Sequence, residues 1–292
     1  MNRILAGLAI STAAVSMAAA PAQAATPKDP IATLKQQFRP DTGVKFIDRV
    51  TLQVKGNKEY LARRTGAYEF GTSGITASDM SGTLFPDQAR EEKEQFGLGE
   101  PERTIRVGRT AYLSGGVLSG RLEEGKTWYK LPNGPAGGVV GNFAQPVNPV
   151  EPATLQALLK TGKATKDGYA GAITYRELYK NSPWARGNVF PGAKMDAKTL
   201  KSVIKWRLTL DAKGLPSRVV TSISASTILG GKPGKDTLTS DTRFTDWGTP
   251  VDIQAPPADQ VTTKFKDEGT DTPELPDGPI LSGDQVEALL GK

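Results

Sequence analysis

Residues 203–224 read VIKWRLTL-DAKG-LPSRVVTSIS. Two runs with strand chemistry, Val203 to Leu210 and Leu215 to Ser224, flank the tight turn Asp211-Ala212-Lys213-Gly214. Together they form a β-hairpin, and the same pattern recurs outward from it in both directions. Upstream, Val44 to Val54 alternates: Val44, Phe46, Val50, Leu52 and Val54 point one way, with a break at Ile47. That is a long strand with one wet face. Lys55-Gly56-Asn57-Lys58 turns the chain into a returning strand, Tyr60 to Phe70. Arg103 to Val107 and Thr110 to Leu113 are split by Gly108-Arg109, and Lys126 to Leu131 is closed by Pro132-Asn133-Gly134. Downstream, Thr237 to Phe244 is a further strand and Asp246 to Ile253 a final edge strand, with Pro256-Pro257 ending the fold. Gly171 to Leu178 also reads as a strand. Gly71 to Gly99 is irregular, with one strand-like piece at Gly82 to Phe85 and a charged segment from Asp87 to Glu94.

Two helices stand out. Asp29 caps one that opens with Pro30 and carries Ile31, Leu34 and Phe38. Glu151-Pro152-Ala153 opens the other, with Leu155, Leu158 and Leu159 inside and Gly162 as its stop. A Gly/Pro-rich crossover to Pro146 precedes it. Many strands joined by short turns, with few helices, predict an α+β fold. Its form is one large curved antiparallel sheet, a half-closed β-barrel, with helices on the concave face.

The termini read differently. Met1-Asn2-Arg3 supplies one positive charge, Ile4 to Met17 is an apolar run of about 14 residues, and Ala22-Gln23-Ala24 is an A-x-A cleavage site. The run is short of the ~20 residues a membrane span needs. Residues 1–24 are therefore expected to be a cleaved secretory signal, with Ala25 starting a secreted chain. No cysteine follows the site to carry a lipid, so the chain is expected to be released rather than anchored. Residues 25–264 form one domain. Residues 265–292 hold two lysines against seven carboxylates, a net −5, and read as an acidic, largely disordered tail. Ser282 and Gln285 form a capping box for a short helix within it, docked or frayed.

Composition narrows function further. The chain has neither histidine nor cysteine, which removes Ser-His-Asp hydrolysis, cysteine nucleophiles and zinc hydrolysis. The overall charge of +6, set against that tail, leaves about +10 on residues 25–264. Such a basic body suits anionic envelope polymers or lipid headgroups, or is a solubilising surface. Lys and Arg are scattered in sequence and no nucleic-acid motif is present.

Two motif matches fail on context. Gly120 to Thr127 fits G-x-x-x-x-G-K-T, but the lysine runs into Trp128-Tyr129-Lys130-Leu131-Pro132, strand chemistry where a phosphate loop needs a helix. Ser202-Val203-Ile204-Lys205 fits S-x-x-K, yet the serine opens a strand, and Lys160-Thr161-Gly162 precedes it where a penicillin-binding enzyme has K-T-G afterwards. No carboxylate stands out as a buried, tuned acid; Glu69, Asp211, Asp246 and Asp252 read as turn and rim residues. Trp128, Trp184, Trp206 and Trp247 read as core or sheet-face anchors, with a ligand-lining role open for one or two. No catalytic, cofactor-binding or metal-binding residue is assigned, and no cofactor is expected.

With these elements placed, four segments follow one another in a familiar order: Thr127 to Leu131, Asn148 to Leu155, Leu208 to Val220, and Phe244 to Ile253. This succession resembles actinobacterial exported proteins related to the LppX/LprG lipoproteins, which in turn resemble the LolA/LolB carriers. The resemblance implies a half-barrel whose helices and concave sheet face enclose an apolar cavity for acyl chains of lipids or glycolipids, with binding and transfer but no chemistry. It supplies no invariant polar site, so no ligand residue is carried over. The chain departs from the group at Ala25, where those lipoproteins have a lipidated cysteine. The expected function is a secreted, non-catalytic carrier of an apolar ligand held by burial at about 0.8 kcal/mol per methylene. The alternative is a module for cell wall or protein contact whose interior is filled by side chains.

Overall fold

The computed structural model describes residues 29–54, 56–94, 98–191, 195–229 and 234–266. The expected signal at 1–24 and the tail beyond Lys266, with its capping box, lie outside the described residues. The described chain opens with α1 (Pro30–Lys35) and continues through β1 (Thr42–Val54), β2 (Asn57–Phe70) and β3 (Ile75–Leu84) to α2 (Arg90–Glu94). Next come β4 (Glu102–Val107), β5 (Thr110–Gly115), β6 (Trp128–Pro132), α3 (Pro152–Thr161), β7 (Lys163–Thr165) and β8 (Gly168–Thr174). Then follow α4 (Tyr175–Asn181), α5 (Pro183–Gly187), α6 (Ala197–Lys201), β9 (Val203–Leu210) and β10 (Pro216–Ser224). The last elements are α7 (Ala225–Ile228), β11 (Thr237–Pro250) and β12 (Val261–Thr262).

All twelve strands belong to one sheet in the order β12-β6-β5-β4-β3-β2-β1-β11-β10-β9-β8-β7. Every pairing is antiparallel except β12 on β6. The sheet does not close, since β12 and β7 are both edges. Helices cover one face, as the sequence predicts.

The local chemistry explains the elements. In the 211–214 turn, Asp211 Oδ1 accepts from Lys213 N (2.8 Å) and Leu215 N (2.9 Å), and Gly214 takes the positive φ of 87° the turn requires. Asp29 Oδ1 accepts from Ile31 N at 2.9 Å to cap α1. Along β1, even-numbered positions from Val44 to Leu52 are buried, while Lys45, Ile47, Arg49 and Gln53 are exposed. The inner face joins α1, α3, α4 and α5 in one apolar cluster that includes Leu34, Phe46, Leu155, Leu158, Leu178, Trp184, Leu208 and Phe244. A smaller cluster at the β5–β6 end holds Leu113, Leu122, Tyr129, Val139 and Phe265.

Several expectations are corrected. Residues 75–84, expected to be mostly irregular, form the ten-residue strand β3. Its inward positions include Ser78 and Gly82, the latter without a side chain because Val140 and the Arg64 stem press on it, so the run lacks an apolar signature. The strand expected over 171–178 stops at Thr174, where a capping box turns the chain into α4: Thr174 Oγ1 accepts from Glu177 N, and Glu177 accepts from Thr174 N. Asp246 to Pro250 belongs to β11, which lies between β1 and β10 rather than at an edge. The fold also continues past Pro256-Pro257. The chain reaches β12 beside β6, and Phe265, assigned to the tail from sequence, bridges Leu122 and stacks on Tyr129 with ring centres 4.8 Å apart. Where two helices were expected, seven short ones occur among the described residues.

Candidate functional site

The inner face is apolar at both ends and polar across its middle. On β1 the alternation puts Asp48 inward between Phe46 and Val50, fully buried. Register places Arg64 of β2 opposite it on one side and Thr242 of β11 on the other. Asp48 Oδ2 accepts from Arg64 Nη2 (2.9 Å), Arg64 Nε (3.2 Å) and Gln145 N (3.3 Å), and Oδ1 accepts from Thr242 Oγ1 (3.0 Å). Gln145 extends the network: Nε2 donates to Thr242 Oγ1 (3.2 Å) and Val219 O (3.3 Å), and Oε1 accepts from Thr221 Oγ1 (2.8 Å). The chain over 134–150 is thereby strapped across β1, β2, β10 and β11.

A second carboxylate holds the other end of that strap. Glu102, buried on β4, accepts from Val139 N (3.1 Å), Val140 N (3.3 Å) and Thr104 Oγ1 (3.3 Å). Burial pushes its carboxyl up to about 7, against the lowering effect of these hydrogen bonds and of nearby Arg64. Gly138, at φ 61°, lets the strap pass, since a Cβ there would run into the Glu102 carboxylate and the Thr104 hydroxyl. A third carboxylate, Glu151, organises the helical cover. It accepts from Ser182 Oγ (2.6 Å), Trp184 N (2.6 Å) and Thr154 Oγ1 (2.8 Å), tying α3 to the start of α5. Burial raises its pKa, with those bonds opposing.

These acids correct the expectation that none is buried or tuned. The signal was present for Asp48, because the parity of 44, 46, 50 and 52 includes 48. Nothing local marks Glu102, whose burial follows from a strap nearly forty residues away.

Beyond the polar band, the inner face over β8–β11 is apolar, with Ile204, Trp206, Leu208, Val219, Ile223 and Leu238 all buried. Trp206 lies against Gly162 and Gly171, whose missing side chains make room for its ring, and its buried indole N–H finds no acceptor among the described residues. Trp184 meets the Tyr68 ring edge-on at 5.2 Å, and Trp247 stacks near Phe70 and donates to Pro216 O at 3.1 Å. These three are inner-face anchors. Trp128 lies on the outer face, where Arg103 sits 5.6 Å over its ring.

Of the remaining sequence candidates, Glu69 and Asp246 lie on β2 and β11, Asp211 at a turn and Asp252 just after β11. Glu69 accepts from Ile253 N, Asp211 builds its hairpin turn, Asp246 pairs with Lys45 at 3.2 Å, and Asp252 is exposed. The 120–127 segment is a loop with left-handed Gly120 and Gly125, leading into β6 with no helix after it. Ser202 caps the C-terminal end of α6, and Lys205 is exposed on β9. Two clefts flank this loop, of about 570 and 490 Å³. The larger is formed by Tyr112, Lys130 and the 255–264 segment; the smaller contains Glu100, Glu124 and Lys266. Neither is lined by a residue of α1, α3, α4 or α5. Among the described residues no group of acidic side chains could hold a metal ion, and no helix is long and apolar enough to cross a membrane.

No protein-family model and no curated protein matches the chain. Among solved structures, the chain is similar to the crystal structure of a LolA superfamily protein from Nitrosomonas europaea. The identity is 12%, the match covers 76% of this chain and 93% of that one, and the TM-score is 0.27. The architecture accordingly rests on the strand order and burial above.

Proposed function

We propose that this protein is a non-catalytic carrier that holds an apolar ligand between the inner sheet face and its helical cover, and that it works outside the cell after loss of residues 1–24. The observation that supports this reading most is the make-up of the inner compartment. Apolar and aromatic walls on either side of the polar band, the larger over β8–β11, are covered by helices of ten residues or fewer. The buried carboxylates support the non-catalytic part of the reading, since each is engaged by three or four donors, Asp48 and Glu102 holding the strap and Glu151 the helical cover. A ligand would gain about 0.8 kcal/mol per buried methylene, so chain length would set affinity more than headgroup.

Native mass spectrometry of protein made in its own host tests this. A co-purified lipid mass, or uptake of a fluorescent fatty acid, is expected; absence of both overturns the reading. One observation favours the alternative of a contact module with a filled interior: the strap places Val140, Phe143, Val147 and Val150, all buried, in the same apolar cluster as the inner residues of β1–β3. On that reading the protein pellets with cell walls in a salt-sensitive way and takes up no lipid.

A further inference from the structure

The outer face of the sheet gathers charges that are far apart in sequence. Arg49 of β1 stands directly opposite Arg63 of β2, and the same row continues through Asp241 of β11 and Val220 of β10 to Arg207 of β9. The adjacent row places Arg243 of β11 beside Arg218 of β10. All five arginines are exposed. Asp241 is engaged with Arg218 through bonds of 2.7 and 2.6 Å. Arg49, Arg63, Arg207 and Arg243 form no ion pair among the described residues. Like charges directly opposite one another on a sheet are destabilising. The array spans five strands, about 19 Å, in two rows about 7 Å apart.

Apolar side chains share this face. Ile47, 43% exposed, stands directly opposite Arg243, and Tyr60, 41% exposed, lies on β2 opposite Thr51. Val107 and Val203, the other exposed large hydrophobics among the described residues, are also on outward positions.

We propose that this outer face, centred on Arg49, Arg63, Arg243 and Ile47, docks on an anionic lipid membrane surface. The charge pattern is two-dimensional, as a layer of phosphate headgroups is. An aliphatic side chain within the array and a tyrosine flanking it gain from the interfacial layer, whereas a hydrophilic polymer offers them nothing. Vesicle binding is read without any carried ligand, so this proposal and the carrier reading stand or fall separately.

The test is co-sedimentation of the chain from Ala25 to Lys292 with vesicles of phosphatidylcholine, alone or with one-third phosphatidylglycerol. Binding is expected only to the anionic vesicles and is lost in high salt. Each arginine near such a surface contributes about 1 kcal/mol. Arg49→Gln/Arg63→Gln/Arg243→Gln should therefore lower affinity roughly a hundredfold. The charge-matched control Lys160→Gln/Arg176→Gln/Lys180→Gln, on exposed positions of the helical cover, should change it less than threefold. Ile47→Ser should weaken vesicle binding and leave binding to soluble polyphosphate unchanged. The outer-face variants are expected to melt at or above the parent temperature because a repulsive pair is removed, and Arg63→Gln/Arg207→Gln provides a second reading. Equal binding to neutral vesicles, no vesicle binding, or equal losses in both triple variants overturns the proposal. So does polyphosphate binding lost in the outer-face triple while Ile47→Ser leaves vesicle binding intact, which would identify a linear polyanion as the partner.

Discussion

Replacing Asp48 by asparagine removes one charge and almost nothing else. The carbonyl of the new side chain can take the position of Oδ2 and accept from Arg64 Nε, Arg64 Nη2 and Gln145 N, while its amide donates to Thr242 Oγ1 in place of the bond that hydroxyl now donates. Volume and hydrogen-bond count survive. What is left is a guanidinium at 3% exposure without its counter-charge, and an arginine cannot relieve this by losing its proton. Breaking a buried pair from one side costs about 3–5 kcal/mol. For a body of this size each kcal/mol moves the melting temperature by about 2–4 °C, so Asp48→Asn should melt roughly 6–20 °C lower. The double variant Asp48→Asn/Arg64→Met removes the stranded charge, and the methionine replaces the arginine stem beside Phe46. It should recover to within about 2 kcal/mol of the parent, because a buried pair contributes little net stability over apolar replacements. Guanidinium unfolding followed by circular dichroism measures all three proteins. A single variant costing under about 1 kcal/mol, or a double variant no more stable than the single, would refute the view that Asp48 is present to neutralise Arg64.

Glu102 has its carboxyl near 7 in the fold against an ordinary 4.5. The native state therefore binds more protons than the unfolded chain between those values. This group's contribution to stability is complete below about pH 4.5 and declines as pH rises to 7, by about 3 kcal/mol in all. Glu102→Gln should flatten that slope, and unfolding midpoints compared from pH 5 to 8 will show the parent losing ground to the variant as pH rises. Gly138→Ala puts a Cβ into the Glu102 carboxylate and Thr104 hydroxyl at a left-handed φ. It should cost about 2 kcal/mol or more and increase hydrogen exchange at Val139 and Val140 before the rest of the sheet.

The strands that alternate cleanly or end in marked turns were legible in the sequence, and so was the one-face packing of the helices. The elements that stayed hidden have a common cause: a partner distant in sequence changes what a position needs. β3 carries Gly82 because Val140 crosses it, and β4 buries Glu102 because the amides of the strap reach it there. Trp247 looks like the start of a separate edge strand until Phe70 and Pro216 are seen to receive it. Thr174-x-x-Glu177 was the exception, a local signal masked by the strand-like residues before it. The outer arginines were all visible as charges, but only strand register brings positions 49, 63, 207, 218 and 243 onto one face.

That register also separates two kinds of work along single strands. On β1, Asp48 lies between Ile47 and Arg49, so the inward neutralising group and the outward charge are adjacent residues with opposite consequences. Even positions there hold the strap and the apolar wall, and change at them should register first as lost stability. Lys45, Ile47 and Arg49 face solvent, Arg49 with no ion pair among the described residues, and change at Ile47 or Arg49 should alter association while leaving the fold intact. Because a one-residue slip would exchange the two sets, the polar band contributes specificity as well as bonds. A slipped β1 would bring Ile47 and Arg49 under the strap and leave Arg64 without Asp48. The buried network thus keeps the basic face outward and the apolar face available to the interior.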